Sequence, residues 1–179
     1  SYVPEAKRRP RERWRRKLDG FVREVVPTDN GIVVSTAAGS LVALLGESRA
    51  GATAWTADND HAGSPPVKAG TWVYSAGGDS LSSVRTYDQN VHWRVDGEFG
   101  NTGPVAAGDT LYVSVGDGVL AYDLDGGLGG GAARFGARRW SHRLESGVVQ
   151  GLAVGDGALF VACEAPERDD RALYRLDPA

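Results

Sequence analysis

Methionine is absent from this chain, and cysteine occurs once, at Cys163. A single thiol can form neither an internal disulfide nor a Cys-rich metal site. Placed just after an apolar strand, it reads as a small buried side chain. Lysine is scarce too: Lys7, Lys17 and Lys68 are the only three, and the other 17 basic residues are Arg. No apolar run approaches the ~20 residues needed to cross a bilayer as a helix. No charged-then-apolar leader opens the chain, which begins at Ser1 without Met. Processing, a leader already removed and excision from a longer protein all stay open. His61, His92 and His142 lack metal-ligand spacing, no His-Glu-x-x-His occurs, and there is no Gly-x-Ser-x-Gly nucleophile turn. Asp123-Leu124-Asp125-Gly126 matches the start of a calcium loop, without the remaining ligands or the closing Glu. The expectation is therefore no catalytic residue, no cofactor-binding residue and no metal ligand.

What is present is a repeat. The 179 residues hold 25 Gly and eight Pro, which fall between apolar runs as turn punctuation. Four apolar strands end in a small residue: Ile32–Ser35, Trp72–Ser75, Leu111–Ser114 and Leu159–Ala162, spaced by 40, 39 and 48. A Trp recurs at Trp14, Trp55, Trp93 and Trp140, spaced by 41, 38 and 47. Two markers holding one register at about 40 residues point to a propeller or solenoid of small units. Each unit opens with a Pro- or Gly-containing segment, such as Val25-Val26-Pro27 or Ser64-Pro65-Pro66-Val67, followed by a tight turn. The apolar strand follows, then a third strand (Leu41–Leu44, Val84–Tyr87, Val119–Tyr122, Leu173–Leu176), then the Trp strand. Asp88, Asp123 and Asp177 after third strands fit turn-bonding carboxylates.

The predicted fold is all-β: a β-propeller of four-stranded antiparallel blades, four per chain, after a basic extension at 1–10. The blades cover about 21–58, 62–96, 100–143 and 147–179. The last lacks a Trp strand, and residues 11–18, with Trp14, are predicted to complete it. Stacked blades bury faces that one small sheet would expose, and the Trp side chains become wedges between them. If Trp14 is buried at that joint, Trp14→Ala should cost about 3–5 kcal/mol.

Pro104–Ser114, Gly118–Asp123 and Trp140, together with Leu173–Pro178, resemble the quinoprotein (PQQ)-type β-propeller repeat, in its BamB-like form without the cofactor site. The resemblance covers 11–179 and specifies fold far better than activity. It implies an extracytoplasmic or cell-surface setting. Members that hold the quinone share a vicinal Cys pair, a Trp floor and an Asp/Glu/Asn calcium set; Cys163 stands alone, and no such cluster can be matched here. Rings of that family have seven or eight blades, against four in this chain. A homodimer completing an eight-bladed ring, each chain lending its Trp14 strand across the joint, a self-closed four-bladed ring and half of a longer protein are the three solutions, and eight-blade geometry is the expectation.

Residues 1–18 carry a net charge of +6 and the remainder −9. The run Lys7–Lys17 suits phosphate or anionic lipid, and equally an edge strand guarded by charge. No aromatic stacking platform accompanies it, so nucleic acid is not the expected partner. The expected function is a non-catalytic scaffold for protein–protein interaction or assembly, with an unidentified protein partner. The alternatives are a fragment of a PQQ/calcium-dependent oxidoreductase and an anionic-surface binder. Loops on a rigid frame carry binding. The Gly-rich segment within 124–139 reads as a mobile loop and is the first candidate, followed by Asp58–His61 and Gly97–Asn101.

Overall fold

The computed structural model describes residues 12–46, 51–58, 64–87, 91–124, 136–145, 147–165 and 170–177. These hold fourteen strands and no helix. No helix among the described residues is therefore long and apolar enough to cross a membrane.

The first sheet is β1 (Val22–Thr28), β2 (Gly31–Thr36), β3 (Ser40–Leu45) and β4 (Thr53–Asp58), each antiparallel to the next. The second comprises β5 (Val67–Ala69), β6 (Trp72–Arg85) and β7 (Val91–Phe99). The third runs β8 (Val105–Ala107), β9 (Thr110–Val115), β10 (Gly118–Asp123) and β11 (Arg138–Arg143). The fourth holds β12 (Val148–Gly155), β13 (Ala158–Ala165) and β14 (Asp170–Leu176). Strands β5 and β8 begin only after Pro65-Pro66 and Pro104, which have no N–H to give a ladder.

The second sheet has three strands by count but four rows. Strand β6 doubles back on itself: the Thr86 amide donates to the Thr71 carbonyl at 2.9 Å. The Ser75 and Ser82 hydroxyls face each other at 3.4 Å, and Gly78 at the bend has φ +57°. Its two arms are the second and third strands of an ordinary blade. The pairings also correct the register of the repeat. Val67 pairs with Tyr74, as Val105 does with Tyr112, so Tyr74, not Val73, is the counterpart of Tyr112. The final-Ser alignment is off by one residue in this blade, while the Trp spacing is unaffected.

Consecutive sheets pack face to face through their inner strands, β1 on β5, β5 on β8 and β8 on β12. The middle strands are consequently buried on both faces, as their unbroken apolar runs anticipate. Each Trp strand supplies one wedge to the next blade. Trp55 packs with Val33, Leu41 and Ala43 of its own blade against Val73 and Val84, and its Nε1 donates to the Thr86 carbonyl at 2.9 Å. Trp93 lies edge-on between Tyr74 of its own blade and Tyr122 of the next, with ring centroids 6.5 and 5.8 Å away. Trp140 leans on Tyr112 at 5.7 Å within a cluster that includes Leu159 and Val161 of blade four.

The arc of four blades does not close, and one expectation is overturned. Residues 12–18 form no strand, and β14 pairs only with β13 among the described residues. The segment does not complete blade four of its own chain but lies on blade one. Leu18 packs on Val34, Val42 and Leu44, and Arg16 donates to Thr53 Oγ1 at 3.0 Å. Blades one and four stand at opposite ends of the arc, so blade one offers the apolar surface within the segment's reach. Residues 1–11 lie outside the described residues.

Trp14 is 37% exposed and Trp55 only 6%, so the large truncation penalty belongs to Trp55. Trp55→Ala should lower unfolding free energy by about 3–5 kcal/mol, and Trp14→Ala by clearly less. Denaturant melts of both variants check this; equal losses would contradict the placement.

Candidate functional site

Two of the three candidate loops meet at one groove. A cavity of about 430 Å³ between blades two and three is lined by Val95–Phe99 of β7, Val115 of β9, Leu120 and Tyr122 of β10, and Gly136 and Arg138. Gly97–Phe99 belong to the Gly97–Asn101 candidate. Gly136 and Arg138 are the returning stem of the 124–139 candidate, whose residues 125–135 lie outside the described residues. The groove has an apolar floor and a rim carrying Asp96, Glu98 and Arg138. Phe99 is buried there, and Gly100 donates to the Ser114 carbonyl at 2.8 Å, tying the loop back onto β9. Of the third candidate only Asp58 is described; it ends β4 and does not line this groove, and residues 59–63 lie outside the described residues.

The loop stem is pinned by charge. Arg139 grips Asp109 bidentately, with Nη1 donating to Oδ1 at 2.9 Å and Nη2 to Oδ2 at 2.7 Å. It also bonds Thr110 Oγ1 at 2.7 Å and reaches Asp123 Oδ1 at 3.3 Å. The Leu124 amide donates to the Asp109 carbonyl, and that of Gly136 to Asp123. The Arg139 hydrogen bonds, with a smaller part from Thr110 and the Arg139 charge, hold the Asp109 carboxyl down at about 2. Asp123, read from sequence as a turn-bonding residue, is an ion-pair partner at this stem. Burial pushes the hydroxyls of Tyr74 and Tyr122 and the Cys163 thiol upward in pKa; they pack as neutral groups.

Elsewhere, the basic run is seen only in its second half. Arg13, Arg15, Arg16 and Lys17 are exposed, with Arg15 paired to Glu12 at 2.9 Å. His142 is exposed on β11, while the structure describes only the backbone of His92, on β7, and His61 lies outside the described residues. No three His, Cys, Asp or Glu side chains gather as a metal set among the described residues. Sequence reading missed a cation–π stack in which the Arg85 guanidinium sits 4.7 Å from the Trp72 ring and 5.2 Å from Tyr87. The fifth Trp, off the repeat, was its signal.

The profile of the family described as outer membrane protein assembly factor BamB matches residues 40–129. The chain belongs to this family. Its repeats are of the PQQ type, and the all-β propeller fold follows. Among solved structures, the computationally designed Ika4 protein is similar at TM-score 0.69 and 11% identity, over 89% of this chain and 94% of that one. BamB from Moraxella catarrhalis is similar at TM-score 0.63 and 17% identity, over 92% of this chain and 56% of that one. A europium-containing methanol dehydrogenase is similar at TM-score 0.58 and 14% identity, over 76% of this chain and 27% of that one. The chain thus spans about half the length of that BamB. No curated protein sequence matches it.

A carboxylate whose folded pKa lies below its unfolded value stabilises the fold above the unfolded pKa and ceases to do so as pH falls through the folded one. For Asp109 the window runs from the usual 3.8 down to about 2. The stability gap between the parent and Asp109→Asn should be constant above about pH 4 and vanish as pH drops through 2. Thermal melts across that range test it, and a gap that persists at the acid end would contradict the assignment.

Proposed function

We propose that the chain is a non-catalytic propeller scaffold for protein–protein interaction or assembly, with the groove between blades two and three as its platform. The observation that carries this reading is the convergence of two loop stems on one cavity with an apolar floor and a rim of two carboxylates and one guanidinium. Such a surface suits a protein segment with apolar anchors and at least one basic side chain, because desolvated anchors supply most binding energy and rim charges set register. The frame beneath is rigid, since Trp93 and the Asp109–Arg139 clamp fix both sides. The family's description as an assembly factor supports the same reading. It also supports an extracytoplasmic or cell-surface setting.

The oxidoreductase alternative is separated from it by spectroscopy. Adding pyrroloquinoline quinone with calcium should leave the visible spectrum of the protein as the sum of its parts, and a saturable, calcium-dependent change would replace this proposal with the enzymatic one. A photo-crosslinking residue at Glu98, on the exposed rim, should give a discrete protein adduct in cells. The adduct should fall at least tenfold when Asp96→Lys is added, a ratio worth about 1.4 kcal/mol. Absence of any adduct at Glu98 would contradict the platform reading.

A further inference from the structure

Among the described residues blade four has no Trp strand, and blade one carries a Trp segment that belongs to none of its own strands. Residues 12–18 occupy on blade one the place that a preceding blade's outer strand occupies elsewhere in the arc. Trp14 seats on Gly51, where an added Cβ would stand 2.8 Å from its Cε3. Trp93 seats in the same way on Gly136. Both glycines lie two residues before the outer strand of the receiving blade, with φ of +72° and +75°. Their hydrogen bonds also match: Gly51 to Leu45 and Leu45 to Ala52 in one blade, Gly136 to Asp123 and Asp123 to Ala137 in the other. A side chain at either position would be both strained and in the way of the indole.

A second coincidence is independent of the first. Four residues beyond Trp140, Leu144 is buried in a cluster with Leu159 and Val161 of the following blade. Four residues beyond Trp14, Leu18 packs on Val34, Val42 and Leu44 of blade one. By strand pairing, Val34 is the counterpart of Val161. Residues 12–18 therefore hold the position of an outer strand whose own sheet is missing.

The missing sheet has the shape of this chain's other end. The face of blade four that points away from blade three exposes Ala153, Ala162 and Leu173, with Leu173 73% exposed. On the other blades the positions corresponding to Ala162 (Ser35, Ala76, Ser114) and to Leu173 (Leu41, Leu81, Val119) are buried. At the far end, Val25 on the outward face of blade one is 45% exposed. One apolar face is thus of the kind that offers a wedge, and the other of the kind that receives it. Four blades that match 56% of the similar BamB chain leave room for as many again, and two-fold symmetry is the commonest way for identical chains to supply them.

We infer that two copies of this chain close one eight-bladed ring, in which residues 12–18 of each copy pair with the open edge of β14 of the other and complete its fourth blade. Carrying over the β10–β11 register, in which Ala121 faces Trp140 and Val119 faces His142, sets Trp14 opposite Arg175 and Arg16 opposite Leu173. Further blades of a longer chain are the competing occupant, and the size of the polypeptide as its own cells make it, read by immunoblot, separates the two: a band near 18.9 kDa fits two copies, and one of about twice that size or more overturns them. Self-pairing does not depend on the platform function, so either can fail without the other.

The test uses the 179-residue chain. Its mass in solution should be twice 18.9 kDa. Leu173→Asp, at a site exposed within one chain, should halve that mass while leaving the circular dichroism of the blades unchanged. Mixing Arg16→Cys chains with Leu173→Cys chains under mild oxidation should give a heterodimeric disulfide, reduced at least tenfold when Arg171→Cys replaces Leu173→Cys. A single-chain mass without cross-linking would overturn the inference. So would a cross-link within one chain carrying both cysteines, which marks a self-closed ring, or an open series of higher masses.

Discussion

Everything in this fold depends on indole rings wedged between neighbouring sheets. A four-stranded sheet of six-residue strands has two apolar faces and no means of covering either alone. Burying a Trp removes about 150–250 Å² from water, worth on the order of 4–6 kcal/mol before entropy is counted. An exposed ion pair contributes roughly 0–1 kcal/mol, so pairs such as Arg143–Asp117 or Arg171–Glu164 cannot organise the blades. Trp55, Trp93 and Trp140 can, and each does so by reaching out of its own sheet into the next. The glycine before an outer strand lets the ring lie flat on the backbone, which is why Gly51 and Gly136 share a conformation.

The repeat was legible because it is a packing requirement written in residue type. Continuous apolar strands, turn residues and a Trp at steady spacing all express the same stacking, and together they implied four blades. Tyr74 shows where that reading slips. Its strand sits one residue out of step with the final-Ser alignment, because cross-strand pairing sets register and the Ser75 ending does not. The role of residues 12–18 was half legible. Sequence identified them as an outer Trp strand completing a fourth blade, within one chain or across a joint between two, whereas the segment rests on blade one of its own chain. Charge and composition gave no sign of that choice, which depends on where the apolar surface under Leu18 lies in space.

The candidate groove was legible in its loops and hidden in its floor. Gly97–Asn101 and the Gly-rich stretch after Leu124 stood out by composition. That Gly97–Phe99 and the returning stem at Gly136 and Arg138 line one groove with Val95, Val115 and Leu120 follows from the stacking of blade two on blade three, which no local motif reports. The Asp109–Arg139 clamp joins residues thirty positions apart and was equally out of sight. A groove built this way combines a packed floor with loop stems at its rim. The same blade chemistry, left uncovered at the two ends of the arc, gives the chain its open surfaces.

Residue-resolved hydrogen exchange on Trp93→Ala tests the wedge account most directly. If the indole couples the sheets, amides of β6 and of β9–β10 should lose protection together, while those of β2 and β3 keep theirs. Loss confined to blade two would show that the sheets hold independently and would contradict the account.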